Sequence, residues 1–277
     1  MLIFNPALAI PDSLLAKEAT EILREHSTDL LFNHSIRVYL FAAEQGRQQK
    51  LRFDTELLYV AAAFHDLGLT KKFSSQNERF EVDGANAVRQ FLTAHNVPEE
   101  QVQTAWEAIA LHTTPGVTPY MRPEIALLYS GVGLDVLGKG FDQFPSELRD
   151  EIVATYPRKH FKESFLWAYF EGFAHKPGTT FGTVNAGVCE RFIPGYKSPN
   201  ACDAMLASPS RIPNSKADCK RVVTLQAEEV SSILGPCERL HQSGFSWLEA
   251  WRTEGEHYTL WSSWLTELPL PRKSLNC

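Results

Sequence analysis

The sequence predicts an all-α fold. Three observations carry that expectation. Apolar residues recur three and four positions apart through the first half of the chain. Helix start and stop residues bracket those runs. No sustained alternation of apolar and polar residues bounded by hairpin turns interrupts them.

The elements follow in order. PDSLLAKEATEILREHS gives a first helix with its start signal at Asp12-Ser13. STDLLFNHSIRVYLFAAEQG gives a second, with Ser27 or Thr28 as N-cap and Gly46 near its end. DTELLYVAAAFHDLG starts at Asp54 or Thr55 and stops at Gly68. VDGANAVRQFLTAHN gives a fourth helix starting at Asp83. PEEQVQTAWEAIALHT opens with Pro98 and acidic residues, which suit a first turn and the helix dipole. RPEIALLYSGVGLDVLG again has a proline near its start.

The character changes after about Arg191. FIPGYKSPNACDAMLASPSRIPNSKADC is rich in Pro, Ser and Asn and predicts a long loop. VVTLQAEEVSSILGPCERLHQSG predicts one or two further helices. The segment from Phe245 to Leu268 holds Trp247, Trp251, Trp261 and Trp264, four of the six tryptophans. Their spacing suits apolar helical faces, and such rings are expected to pack on the helical core or on a second subunit. The predicted organisation is a helical domain over 1–200, then a loop-rich linker and an aromatic-rich C-terminal extension over 201–277.

Composition narrows the function. The chain has 277 residues, 44% apolar and 22% charged, enough to bury one large core. A net charge of −6 leaves no electrostatic footprint for nucleic acid or an anionic membrane. MLIFNPALAIPDS lacks a basic n-region and is broken by Pro6 and Pro11, so it does not fit a signal peptide. No apolar run approaches a membrane span. Cys189, Cys202, Cys219, Cys237 and Cys277 form no CxxC pair, which argues against a Cys-type zinc site and for reduced thiols in the cytoplasm. The expected partner is a small-molecule substrate, with no nucleic acid and no membrane; a homo-oligomer stays open.

Four residues point to chemistry. On the second helix His34 shares a stripe with Leu31, Val38 and Phe41, which aims it at the core. His65 and Asp66 close the third helix after a run of small apolar residues. Aspartate there opposes the helix dipole, and a nearby cation would reverse that cost. Asp135 shares a face with Leu128, Gly131 and Val132, where a carboxylate is costly unless it is neutral, hydrogen-bonded or metal-bound. Taken singly, each fits a satisfied core histidine or a capping aspartate. Together, two imidazoles and two carboxylates on three helices form a ligand set for a divalent metal, Zn²⁺ first, with Fe²⁺ or Mn²⁺ as alternatives.

In the order His34, His65-Asp66, Asp135, the pattern resembles the HD-domain superfamily of metal-dependent enzymes, over roughly Asp12 to Asp135 and to Arg191 at the furthest. That resemblance implies an HD-domain helical bundle and metal held by His34, His65, Asp66 and Asp135. Many HD proteins are phosphohydrolases, and Lys71 and Lys72 offer the lysine their pattern often adds. The runs NHSIRVYLFA, AAAFHDLGLT, RFEVDGANAVRQFL, AIALHTTPG and GVGLDVLG are more similar to the cyanamide hydratase group of fungi and yeast. That likeness implies a hydro-lyase that adds metal-activated water to a small nitrile such as cyanamide, giving urea. An HD phosphohydrolase acting on a nucleotide or other phosphoester is the alternative. Candidate catalytic residues are His112, Glu81, Lys71 and Asn86. No GxSxG, Walker loop or GxGxxG turn supports another chemistry.

Overall fold

The computed structural model describes residues 8–208, 224–226, 250–252 and 257–260. The chain divides into two compact units, Met1–Ala207 and Ser208–Cys277. The described residues of the first form the helices α1 (Leu14–His26), α2 (Asp29–Gln48), α3 (Thr55–Phe64), α4 (Phe80–Ala94), α5 (Glu99–Leu111), α6 (Pro123–Leu137), α7 (Ser146–Thr155), α8 (Phe161–Phe173), α9 (Asn185–Phe192) and α10 (Ala201–Leu206).

The caps explain where the early helices begin. Ser13 Oγ accepts from Ala16 N–H (3.1 Å), Thr28 Oγ1 from Leu31 N–H (3.4 Å), and Asp54 Oδ1 from both Glu56 and Leu57 N–H (3.0 Å each). The fourth helix differs from expectation. It starts at Phe80, so Glu81 lies in its first turn. Asp83 lies inside the first turn, and its Oδ2 accepts from Lys176 Nζ and Ser75 N–H.

α3 is the hub. It packs on α1, α2, α4, α5 and α6. Every residue from Leu57 to Phe64 is buried, and the small side chains of Ala61, Ala62 and Ala63 let neighbouring helices approach. α2 and α6 make the other critical crossing. A Cβ at Gly131 would lie 2.5 Å from the Val38 carbonyl oxygen and 2.9 Å from Ala42 Cβ, so only glycine permits this approach. The approach carries Asp135 to His34 and Arg37 on α2.

α7, α8 and α9 lie beyond the helices assigned from sequence. α8 closes a second apolar cluster in which Phe161, Phe165 and Phe173 meet Leu31, Leu69, Phe80 and Cys189. The segment expected to be a long loop contains α10, with Asn200 Oδ1 accepting from Cys202 N–H at 2.7 Å. Cys189 and Cys202 are free thiols; Cys219, Cys237 and Cys277 lie outside the described residues.

In the second unit, β1 (Thr224–Gln226), β3 (His257–Leu260) and β2 (Ala250–Arg252) form an antiparallel sheet in that order. The helical spacing read for Trp247 and Trp251 is not what the backbone adopts at Trp251, which is in β2. The short strands carry Tyr258, Thr259 and Trp251, residues that favour pleated pairing. Trp247, Trp261 and Trp264, and the expected helices over 222–244 apart from β1, lie outside the described residues.

The α2–α6 approach makes a prediction with an internal control. Gly131→Ala should cost about 1–3 kcal/mol in thermal or denaturant unfolding, because backbone must move to admit the methyl. On exposed α9, Gly187 has nothing within 4 Å of an added Cβ. Gly187→Ala should therefore range from neutral to about 1 kcal/mol stabilising. Equal effects at the two positions would refute the role given to the crossing.

Candidate metal centre

Each histidine is held by its Nδ1, and that choice decides what its Nε2 can do. His34 Nδ1 lies 2.7 Å from Asp135 Oδ2. A carboxylate only accepts, so the ring nitrogen carries the hydrogen. His65 Nδ1–H donates to the Ala62 carbonyl at 2.8 Å, and His112 Nδ1–H to the Ile109 carbonyl at 2.6 Å. In the neutral rings all three Nε2 atoms are therefore left with lone pairs.

Those lone pairs converge. His34 Nε2 and His65 Nε2 are 3.2 Å apart. Asp66 Oδ2 sits 3.4 Å from the first and 3.3 Å from the second, and it has no hydrogen-bond partner. All of these side chains are buried. Three acceptor atoms facing one another out of water repel, and an unpaired buried carboxylate oxygen is expensive. A divalent cation removes both penalties, so the residues present fit one. Among the described residues, His34, His65 and Asp66 are the histidine and carboxylate atoms close enough to share an ion, all within 4.8 Å of one another.

Asp135 faces the opposite edge of the His34 ring. Arg37 binds it through Nε to Oδ1 (2.9 Å) and Nη2 to Oδ2 (2.8 Å). Arg158 Nη2 adds bonds to Oδ1 (2.5 Å) and to the Asp135 carbonyl (2.8 Å). With His34 on Oδ2 as well, both oxygens are engaged. In this arrangement Asp135 orients His34, fixes its tautomer and raises its basicity as a ligand.

Burial pushes the Asp135 carboxyl upward, but His34 and Arg37 outweigh it and leave it well below the usual range. Burial dominates His34 and lowers its pKa despite the Asp135 hydrogen bond, so the ring stays neutral and available to a metal. Burial also pulls His65 down, yet the adjacent Asp66 charge and hydrogen bonds leave it raised. Asp66, raised by burial alone, is driven well below its normal range by His65, with His112 and His34 adding to the effect.

Of the remaining sequence candidates, His112 Nε2 lies 3.6 Å from Asp66 Oδ1, and its ring meets that of His65 edge-on at 4.9 Å between centroids. Glu81 is buried and accepts from Arg79, Thr113 and Asn185. Asn86 accepts from Trp106 Nε1 at 3.0 Å, between α4 and α5. Lys71 is exposed and borders a different hollow, with Glu25 and His26.

A cavity of about 500 Å³ opens beside the cluster, with His34, His65, Asp66 and His112 in its wall. Tyr169 also lines it; its hydroxyl donates to Asn185 Oδ1, and burial first, then Glu81 and Asp66, hold its pKa well above normal. Arg158, Asn185, Thr113 and Tyr169 were not singled out from sequence. The signal for α8 was present: Phe161, Phe165 and Tyr169 are spaced four apart and form one stripe. Phe165 and Phe161 pack on the His34 ring at 4.6 and 5.6 Å between centroids.

Fold and site together define a helical domain with a buried histidine–aspartate cluster whose atoms could share a divalent metal. The family model for the HD domain matches residues 31–163, just under half of the chain, and spans His34, His65, Asp66, His112 and Asp135. This match supports placing the chain in the HD-domain superfamily, whose members are in general metal-dependent hydrolases. No curated protein matches the chain. Among the described residues, no helix is long and apolar enough to cross a membrane.

Two substitutions separate the roles around His34. His65→Ala should leave the purified chain without a bound divalent ion by elemental analysis; full occupancy would refute the cluster. Asp135→Asn should weaken metal affinity by about 10–100-fold, the usual effect of losing a group that orients a ligand. Complete loss of the ion in a variant that still folds would instead put Asp135 among the ligands.

Proposed function

We propose that the chain is a metal-dependent hydratase that adds water across the triple bond of a small nitrile such as cyanamide, giving urea in that case. The support comes from the cavity wall. Apart from the histidine–aspartate cluster it is mainly apolar, and its cations, Lys139 and Lys162, are exposed. No arginine lines it among the described residues. The two guanidinium groups nearby, Arg37 and Arg158, are committed to Asp135. A phosphoester carries charge that would have to leave water here without a bidentate clamp, whereas a neutral nitrile has no such cost.

His34 Nε2, His65 Nε2 and an Asp66 oxygen would hold the cation. When bound, a divalent ion supplies Lewis acidity that lowers the pKa of water from 15.7 to about 7. The chain's own residues account for orientation and proton movement. Hydration places oxygen on the nitrile carbon and hydrogen on its nitrogen. His112 Nε2 is a free acceptor because Nδ1–H is bound to the Ile109 carbonyl, so it can take a proton and return it to that nitrogen. Tyr169, kept neutral by its surroundings and held by Asn185, lines the same cavity. Phe161 and Phe165 keep bulk water from His34.

The purified chain, loaded with a divalent metal, should form urea from cyanamide. Release of phosphate from nucleotides with no urea would replace this reading with a phosphohydrolase. His112→Ala should retain its metal and lose about 10²–10⁴-fold in kcat, the usual contribution of a general acid–base group; unchanged kcat would remove His112 from the proton path.

A further inference from the structure

The cavity is much larger than cyanamide. Ligand pockets for drug-sized molecules run from about 300 to 1,000 Å³, and this one holds about 500 Å³. Cyanamide has only a few heavy atoms and fills little more than the share of one or two waters, each about 30 Å³. With cyanamide alone, the remaining space would be water against Val132, Val136, Phe165, Leu166, Val184 and Val188. These side chains come from α6, α8 and the start of α9 and face the histidine–aspartate cluster across one volume. The apolar lining continues outward to Leu137, Leu166 and Val184, which are 68%, 37% and 52% exposed. Burying such surface is favourable only when an apolar ligand covers it.

We infer that the substrate of this site is a nitrile or substituted cyanamide with a bulky apolar body, aryl or branched alkyl. Its reacting carbon lies at the histidine–aspartate cluster and its body against the α6–α8–α9 wall. The inference rests on the hydratase reading and narrows it. For a phenyl-substituted cyanamide the balance is simple: water oxygen bonds to the nitrile carbon, both water hydrogens end on nitrogen, and phenylurea is the sole product. No oxidant, reductant or second substrate is needed.

The test uses the full metal-loaded chain with cyanamide and phenylcyanamide as substrates, and urea and phenylurea as ligands in titration calorimetry. Phenylcyanamide should exceed cyanamide in kcat/KM by on the order of a hundredfold, the usual upper range for fully burying a phenyl-sized group. Phenylurea should bind tighter than urea by a similar ratio. Val188→Trp, which fills the α9 side of the wall, should cut the phenyl preference at least tenfold in both measurements; Leu166→Trp serves if that variant does not fold. If cyanamide reacts at least as well as phenylcyanamide and the two ureas bind alike, the inference fails while the hydratase reading stands. A phenyl preference untouched by both tryptophan variants overturns the placement on this wall. If neither cyanamide yields a urea, the hydratase reading falls and this inference falls with it.

Discussion

The carboxylate of Asp135 is the constraint on which the rest of the centre depends. It is buried, and it gathers His34 and Arg37 from α2 and Arg158 from the segment before α8. A buried ion pair of this kind contributes little net stability, because desolvation offsets most of the attraction. Its effect is positional. By accepting the Nδ1 hydrogen of His34 it leaves Nε2 bare, and by holding Arg37 with two bonds it fixes the rotation of α2 against α6. Gly131 makes the arrangement reachable, since any larger residue would hold the helices apart. The same guanidinium lies over the Phe161 ring at 4.8 Å, which ties the start of α8 to the assembly.

The end of α3 is the complementary device. A helix of small apolar residues packs against five others and then stops where its last carbonyls need donors. His65 satisfies one of them, Ala62 O, and is thereby turned so that Nε2 points at His34. Asp66 follows at the end where the dipole disfavours an anion. A structure selected only for stability would not bury that oxygen without a partner. The unfavourable terms share one location and one sign, and a cation offsets all of them.

Much of this was legible in the sequence. The caps at Ser13, Thr28 and Asp54 and the six early helices follow from local signals, because a cap and its partner lie within a few residues. His34, His65 and Asp66 were legible because polar side chains on apolar faces require a reason. The orientation of Asp135 was not, since its partners Arg37 and Arg158 lie 98 and 23 residues away in sequence. Asn86 follows Glu81 by five positions, which places them about 140° apart around a helix, and Asn86 turns to Trp106 instead. α8 was overlooked although its aromatic stripe has helical spacing, because nothing local ties that stripe to a histidine more than a hundred residues earlier.

The polar and apolar halves of the cavity act on one another. Rings from α8 lower the dielectric around His34, which keeps the imidazole neutral and strengthens any charge interaction at the cluster. The same rings make the wall a poor host for charged groups. On the proposed reading, a ligand entering this space would bring an apolar body to the wall and a polarised atom to the cluster. Charge chemistry is thus confined to one end of the cavity, beside Nε2 of His34, His65 and His112. The opposite end is built on α6, α8 and α9 and offers mainly apolar surface. On the proposed reading, the metal-holding atoms come from α2 and the end of α3 while the wall comes from α6, α8 and α9, so the α9 side of the wall can change without disturbing the bonds that set Asp135.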